Sequence, residues 1–170
     1  MFFVPTNLKI FIFMKQRVVL GRLSVVLTLV TIAIFVAIMF VGNPPLVVQL
    51  PVAGILALIS LVGLFYMPLS ISVDKYSIYI NRSLRIKDIP LAKVKSVKLH
   101  TPSSGTIRVS GSGGFMGYWG WFREKGTGIY FAYYGSQDNC FLLELTDGRK
   151  YLLGCENHKQ MVEAIEGYIK

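Results

Sequence analysis

Between Arg22 and Asp74 the sequence has no Asp, Glu, Lys, Arg or His, which leaves residues 23–73 as 51 consecutive uncharged positions. A chain of 170 residues lacks the material to bury so long an apolar stretch on all sides, so a membrane segment is expected rather than a buried helical pair in a soluble core. Histidine and cysteine are scarce: His100 and His158 are the two imidazoles, Cys140 and Cys155 the two thiols. Their spacing fits no metal pattern, so both histidines are expected at the surface and both thiols reduced in a cytoplasmic domain. The sequence also lacks a Gly-x-Ser-x-Gly elbow, a phosphate loop ending in Lys-Ser/Thr and a His-Glu-x-x-His helix. No catalytic residue, cofactor or metal is therefore expected, and enzymatic activity is not. The apolar stretch holds no charged side chain with which to move ions or protons.

The apolar stretch is divided by Asn43-Pro44-Pro45, a break that no helix crosses. Leu23–Gly42 and Leu46–Leu69 are each long enough to span roughly 30 Å of hydrocarbon as helix, which predicts a transmembrane hairpin over residues 23–69. Lys9, Lys15, Arg17 and Arg22 precede the first span, and Lys75, Arg82, Arg85 and Lys87 follow the second. Basic residues flanking short-looped spans stay in the cytoplasm, so both termini are expected there, in a multi-pass protein of the inner (plasma) membrane. Gln49 and Pro51 are expected to pack the second span on the first. Residues 1–22 are a basic cytoplasmic lead. Within it, Phe2, Phe3 and Ile10–Phe13 make either a short interfacial segment or a stretch ahead of a start at Met14.

Acidic residues are absent before Asp74; all nine lie in residues 74–170. With 14 of the 18 basic residues there too, that part is still about +5, a sign that suits either plain solubility or a place beside an anionic leaflet. The basic residues follow no nucleic-acid motif, so no such partner is expected. From Leu69 the apolar pattern becomes alternating, the signature of strands. Strands are expected at Leu69–Lys75, Ser77–Asn81, Leu84–Lys87, Val94–Leu99, Gly128–Tyr134, Cys140–Thr146 and Lys150–Gly154, with a turn at Asn81-Arg82-Ser83, a break at Ile89-Pro90-Leu91 and a hairpin at Asp147-Gly148. Asn157, with Gln160 three residues on, predicts a capped helix whose apolar stripe is Met161, Val162, Ile165, Tyr168 and Ile169.

Some seven antiparallel strands over residues 70–170, closed by one amphipathic helix, resemble a pleckstrin-homology-like (PH-like) barrel or sandwich. The entry Ile89-Pro90-Leu91-x-x-Val94-x-x-Val97 and the closing Asn157–Lys170 helix look like the bacterial PH domains that follow one or two membrane spans. The glycine and aromatic run at 111–122, ahead of Gly128–Tyr134, is similar to a signature of one such family. The resemblance implies a binding module. Two functions are open: an adaptor that binds a protein partner or self-assembles at the cytoplasmic face, and a reader of anionic lipid headgroups. Candidates for the second are Arg82, Arg85, Lys87, Lys93, Lys95 and Lys98, with Arg123. In the eukaryotic relatives the resemblance implies a Lys-x-Arg lipid site across the first strand pair, and Arg82, Arg85 and Lys87 are arranged differently.

Residues 105–128 hold eight glycines interleaved with Phe115, Tyr118, Trp119, Trp121 and Phe122. One reading is an interfacial or partner-binding loop, with Trp119 and Trp121 at headgroup depth and Arg108, Arg123 and Lys125 near phosphates. The other is a long twisted hairpin whose aromatics complete the core. The amides of Gly111–Gly114 also offer an anion nest.

Overall fold

The computed structural model describes residues 14–41 and 44–169; the aromatic lead at 1–13, Gly42-Asn43 of the break and Lys170 lie outside them. Two apolar helices, α1 (Arg22–Phe40) and α2 (Leu46–Tyr66), are both long and apolar enough to cross a membrane. Their 19 and 21 residues correspond to about 28 and 31 Å. Gln49 Nε2 donates to Met39 O of α1 (3.4 Å) and to Pro44 O (3.0 Å), so this polar side chain ties the two helices together. The second helix ends three residues short of the expected Leu69. Pro68 disfavours helical backbone at Met67, and the chain turns directly into a strand.

Ten strands follow the elements in chain order: β1 (Met14–Arg17), β2 (Pro68–Val73), β3 (Ser77–Arg82), β4 (Ile86–Pro90), β5 (Val94–Leu99), β6 (Ile107–Gly114), β7 (Gly117–Glu124), β8 (Gly128–Tyr134), β9 (Cys140–Leu145) and β10 (Lys150–Gly154), before α3 (His158–Ile169). They form two sheets, ordered β1-β2-β3-β4 and β5-β9-β10-β8-β7-β6. The expected seven strands are therefore ten, the barrel does not close, and one pair, β8 with β10, is parallel. The three strands missed have physical reasons. The basic lead Met14–Arg17 pairs with Ser70–Val73, a partner 53 or more positions away in sequence. Strands β6 and β7 are masked by glycines, which carry no alternating side-chain signal. Pro90, expected to break a strand, ends β4 instead; β4 is an edge, where a missing N–H costs no ladder bond.

The main core lies between the sheets and under α3. It holds Ile71, Ile78 and Ile80 from the first sheet, Phe141, Leu143 and Leu153 from the second, and Met161 and Ile165 from α3. A second cluster, Tyr118, Phe122, Tyr130, Tyr134, Cys140 and Leu142, occupies the opposite face of the larger sheet. Asn157 does precede α3 and its carbonyl accepts the Met161 N–H, but its side-chain amide donates to Gln16 of β1 (3.2 Å) rather than closing a capping box with Gln160.

Both cysteines are buried and unpaired. Burial pushes the Cys155 thiol up to about 12 and raises that of Cys140, whose Sγ also donates to Ser136 O at 3.1 Å. A thiol kept protonated and out of water does not react. Ellman's reagent is therefore expected to find no thiol in the native chain and both after denaturation; rapid native reaction of either would show that its surroundings open.

Candidate functional site

The turn from β3 to β4 is closed by Arg82 N–H donating to Arg85 O at 3.0 Å, which places Arg82, Arg85 and Lys87 along one rim. Across from them lie Phe131 and Tyr133 of β8, and the end of α2 supplies Phe65 and Tyr66. Together these residues, with Ile86 and Asp88, line an open cleft of roughly 430 Å³. The Arg82 guanidinium sits 5.2 Å from the Phe65 ring, 5.6 Å from Tyr66 and 5.7 Å from Tyr133, with Nη1 3.5 Å from the Tyr133 hydroxyl. Lys87 Nζ lies 5.0 Å over the Tyr151 ring. Such contacts hold a cation in place without neutralising it. Arg82, Arg85 and Lys87 take part in no ion pair among the described residues, where Lys95–Glu144, His100–Glu124 and Arg149–Asp147 do pair.

Burial pushes the Tyr133 hydroxyl up to about 12, with Arg82 opposing the rise, so it remains a neutral donor at physiological pH. Arg82 Nε and Trp119 Nε1 are buried donors without a hydrogen-bond partner among the described residues. The cleft lining thus carries three cations, the carboxylate of Asp88 and one unsatisfied donor, Arg82 Nε; Trp119 lies behind Tyr66, outside the lining.

The basic candidates separate into groups. Arg82, Arg85 and Lys87 meet at the cleft. Lys93 sits in the short turn before β5, and Lys95 and Lys98 lie on β5, the far edge of the other sheet, where Lys95 bonds Glu144 at 3.1 Å. Arg123 lies on the outer part of β7, opposite Ile107 and Ile129, and lines a separate shallow pocket. No single basic surface joins all seven.

The aromatic candidates lie on a hairpin, not a loop: β6 and β7 pair from Ile107–Arg123 to Gly114–Gly117, leaving a two-residue tip at Phe115-Met116. Trp119 stacks on Tyr66 with ring centroids 5.1 Å apart and planes within 12°. Tyr118 stacks on Tyr134 at 4.7 Å, and Phe122 on Tyr130 at 6.2 Å; these three candidates are buried in the protein. Trp121 remains 43% exposed, edge-on to Phe131 at 5.1 Å, and extends the cleft wall outward. Gly111 and Gly114, offered as part of an anion nest, lie in the β6–β7 ladder opposite Gly120 and Gly117.

Sequence reasoning missed Phe65, Tyr66, Phe131 and Tyr133. The first two carry a readable signal, an aromatic pair at the end of an apolar span. Phe131 and Tyr133 give none, because they sit among seven consecutive residues of an ordinary apolar strand.

His100, expected at the surface, is four-fifths enclosed and lies 2.7 Å from Glu124, whose other oxygen accepts the Ser103 N–H at 2.7 Å. Burial alone would raise the Glu124 carboxyl, but the bonds from His100 and Ser103 outweigh it and hold the group below its ordinary value of 4.5. A depressed folded-state value contributes stability that is present above the unfolded value and lost as pH falls through the folded one. Unfolding measured against pH is expected to show the native chain weakening below about pH 4.5. Glu124→Gln should be less stable by about 1–3 kcal/mol at pH 7 and should flatten that acid limb. An unchanged acid limb in the variant would remove Glu124 as its cause.

A family model described as Bacterial PH domain matches residues 69–169, from the start of β2 to the end of α3. No curated protein and no solved structure matches the chain.

Proposed function

The chain belongs to the bacterial PH domain family, and from that membership and the cleft we propose a non-enzymatic adaptor, anchored in the plasma membrane by α1 and α2, that receives a protein segment at its cytoplasmic face. The observation that carries this reading is the mixed chemistry of the cleft and its rims. Arg82, Arg85 and Lys87 supply positive charge, while Ile86 is 60% exposed on one rim and Trp121 43% exposed beside the other. Apolar rims gain nothing from a sugar or phosphate headgroup. They suit a peptide segment that carries both acidic and apolar side chains. The free edges of β4 and β6 add unpaired backbone groups on which an extended segment can align. That segment comes from another protein or from a second copy of the chain.

The orientation follows from the basic residues flanking both helices, which favour a cytoplasmic placement of both termini. The second reading, an anionic-lipid reader, draws on one observation: Phe65 and Tyr66, the last turn of α2, form part of the cleft wall. That places the cations close to headgroup depth. Permanent anchoring argues against it, since a domain already at the membrane gains little from weak lipid affinity.

Charge reversal separates the two. The full-length chain purified in mild detergent, beside its Arg85→Glu/Lys87→Glu variant, is expected to carry a stoichiometric protein that the variant loses by at least ~10-fold, as removal of paired charges does. Native mass spectrometry showing retained anionic lipid instead, lost in the same variant, would transfer the cleft to headgroups. No difference between the two chains would deny the cleft a ligand of either kind.

A further inference from the structure

Most side chains of α1 and α2 are exposed; the buried positions are Ser24 on α1 and Gly63 on α2. Both are buried by the β-rich part. Ser24 Oγ donates to Gly135 O at 3.2 Å, just after β8. Gly63 faces the tip of the β6–β7 hairpin, where an added Cβ would lie 2.8 Å from Met116 Sδ and 3.2 Å from Phe115 Cε1. On the other side of the tip, a Cβ on Gly114 would come within 2.6 Å of Leu27 Cδ1 of α1. The tip therefore sits between the two helices, close to both.

Its depth follows from helix geometry. Thr28 lies about 9 Å along α1 from Arg22, and Gly63 about 4.5 Å back from the end of α2. Chain at that depth has to satisfy its own backbone groups, because hydrocarbon offers no partners. The tip does so. Met116 N–H donates to Thr28 Oγ1 at 2.9 Å, and Thr28 in turn donates to Ser24 O at 2.7 Å. Ser112 Oγ donates to Phe115 O at 2.7 Å, within the hairpin. The turn itself is made of the apolar residues Phe115 and Met116, both half-buried against α2.

We infer that the β6–β7 hairpin is a third membrane-embedded element, its Phe115-Met116 tip seated between α1 and α2 inside the cytoplasmic leaflet. This rests on the two-span reading proposed above. The β-rich part then does not swing on a tether; it is held to the spans at the tip, at Gly135 and through the Tyr66–Trp119 stack. Because Phe65 and Tyr66 belong to α2, the ligand cleft is complete only in this docked arrangement, and any shift of α2 against α1 reshapes it.

Single cysteines in a Cys140→Ala/Cys155→Ala full-length chain, reconstituted into vesicles with the domain outward, test this with a membrane-impermeant maleimide. Lys125→Cys, at an exposed turn, is the accessible control; Ile34→Cys, in the middle of α1, is the control for spanning. Met116→Cys is expected to react at least ~10-fold more slowly than Lys125→Cys, as a thiol shielded from water does. Gly63→Cys/Met116→Cys should close to an intramolecular disulfide on mild oxidation. Rapid reaction of Ile34→Cys would sink the two-span reading itself. Protection of Ile34→Cys with rapid reaction of Met116→Cys and no disulfide would sink the embedded hairpin alone. If Met116→Cys does not fold, Phe115→Cys with Gly63→Cys reads the same contact, and its failure to crosslink in a folded chain overturns the inference equally.

Discussion

A chain ending at Glu156 is expected to lose cooperative folding of its β-rich part. The truncation removes α3, whose Met161 and Ile165 are fully buried and whose Val162 is 6% exposed. Each such side chain contributes about 1.5–3 kcal/mol by burial, so the three together hold roughly 5–9 kcal/mol. A domain of this size is stable by only about 5–15 kcal/mol, so most of that margin goes with the helix. The loss also uncovers the β5, β9, β1 and β2 surfaces that α3 packs against. Near-ultraviolet circular dichroism and limited proteolysis of the full and shortened chains in the same detergent would check this. Glu163→Ala, at an exposed position of the same helix, is the control and should cost under about 1 kcal/mol. Retention of a sharp unfolding transition in the truncated chain would mean that the two sheets hold each other without the helix.

Replacing Gly120 with Val is expected to be nearly as damaging, by a different route. Gly120 pairs directly with Gly111 across β6 and β7, and both have positive φ, 123° and 103°. A side chain on Gly120 would strike Ser110 O, and one on Gly111 would strike Trp119 O. A β-branched residue there meets both a forbidden backbone conformation and a collision with the facing strand, for which about 4 kcal/mol or more is expected. The displacement also shifts Trp119, its sequence neighbour, off Tyr66, so the tryptophan emission should move to longer wavelength. Gly167→Ala in α3, where a Cβ meets nothing within 4 Å, should be neutral or slightly stabilising. A Gly120→Val chain that unfolds like the native one would show that the crossing of β6 and β7 is looser than this geometry.

The parts of the fold legible in the sequence were those written in side-chain pattern. Two apolar helices split at Asn43-Pro44-Pro45, strands such as Val94–Leu99 and Cys140–Leu145, and the stripe on α3 all stand out by hydrophobic period. What stayed hidden depends on partners remote in sequence or on residues with no side chain to read. Met14–Arg17 reads as a basic lead because its strand character comes from β2. The β6–β7 ladder is written in glycine, which signals freedom rather than pairing.

Of the candidate site, Arg82, Arg85 and Lys87 were found because exposed charge is conspicuous, and they do converge. Lys93, Lys95 and Lys98 were grouped with them as the basic, solvent-facing positions of the next strand; the turn into β5 carries them to another sheet edge. The aromatic wall of Phe65, Tyr66, Phe131 and Tyr133 is assembled from two distant segments, and no local pattern announces it.

The cleft is the centre of the functional account, and in-cell photo-crosslinking from position 86 tests it most directly. With p-benzoylphenylalanine replacing Ile86, irradiation of intact cells should yield a protein adduct of one defined mass, and Arg85→Glu/Lys87→Glu in the same chain should abolish it. An adduct of lipid mass alone, or no adduct at all, would contradict a protein-binding cleft.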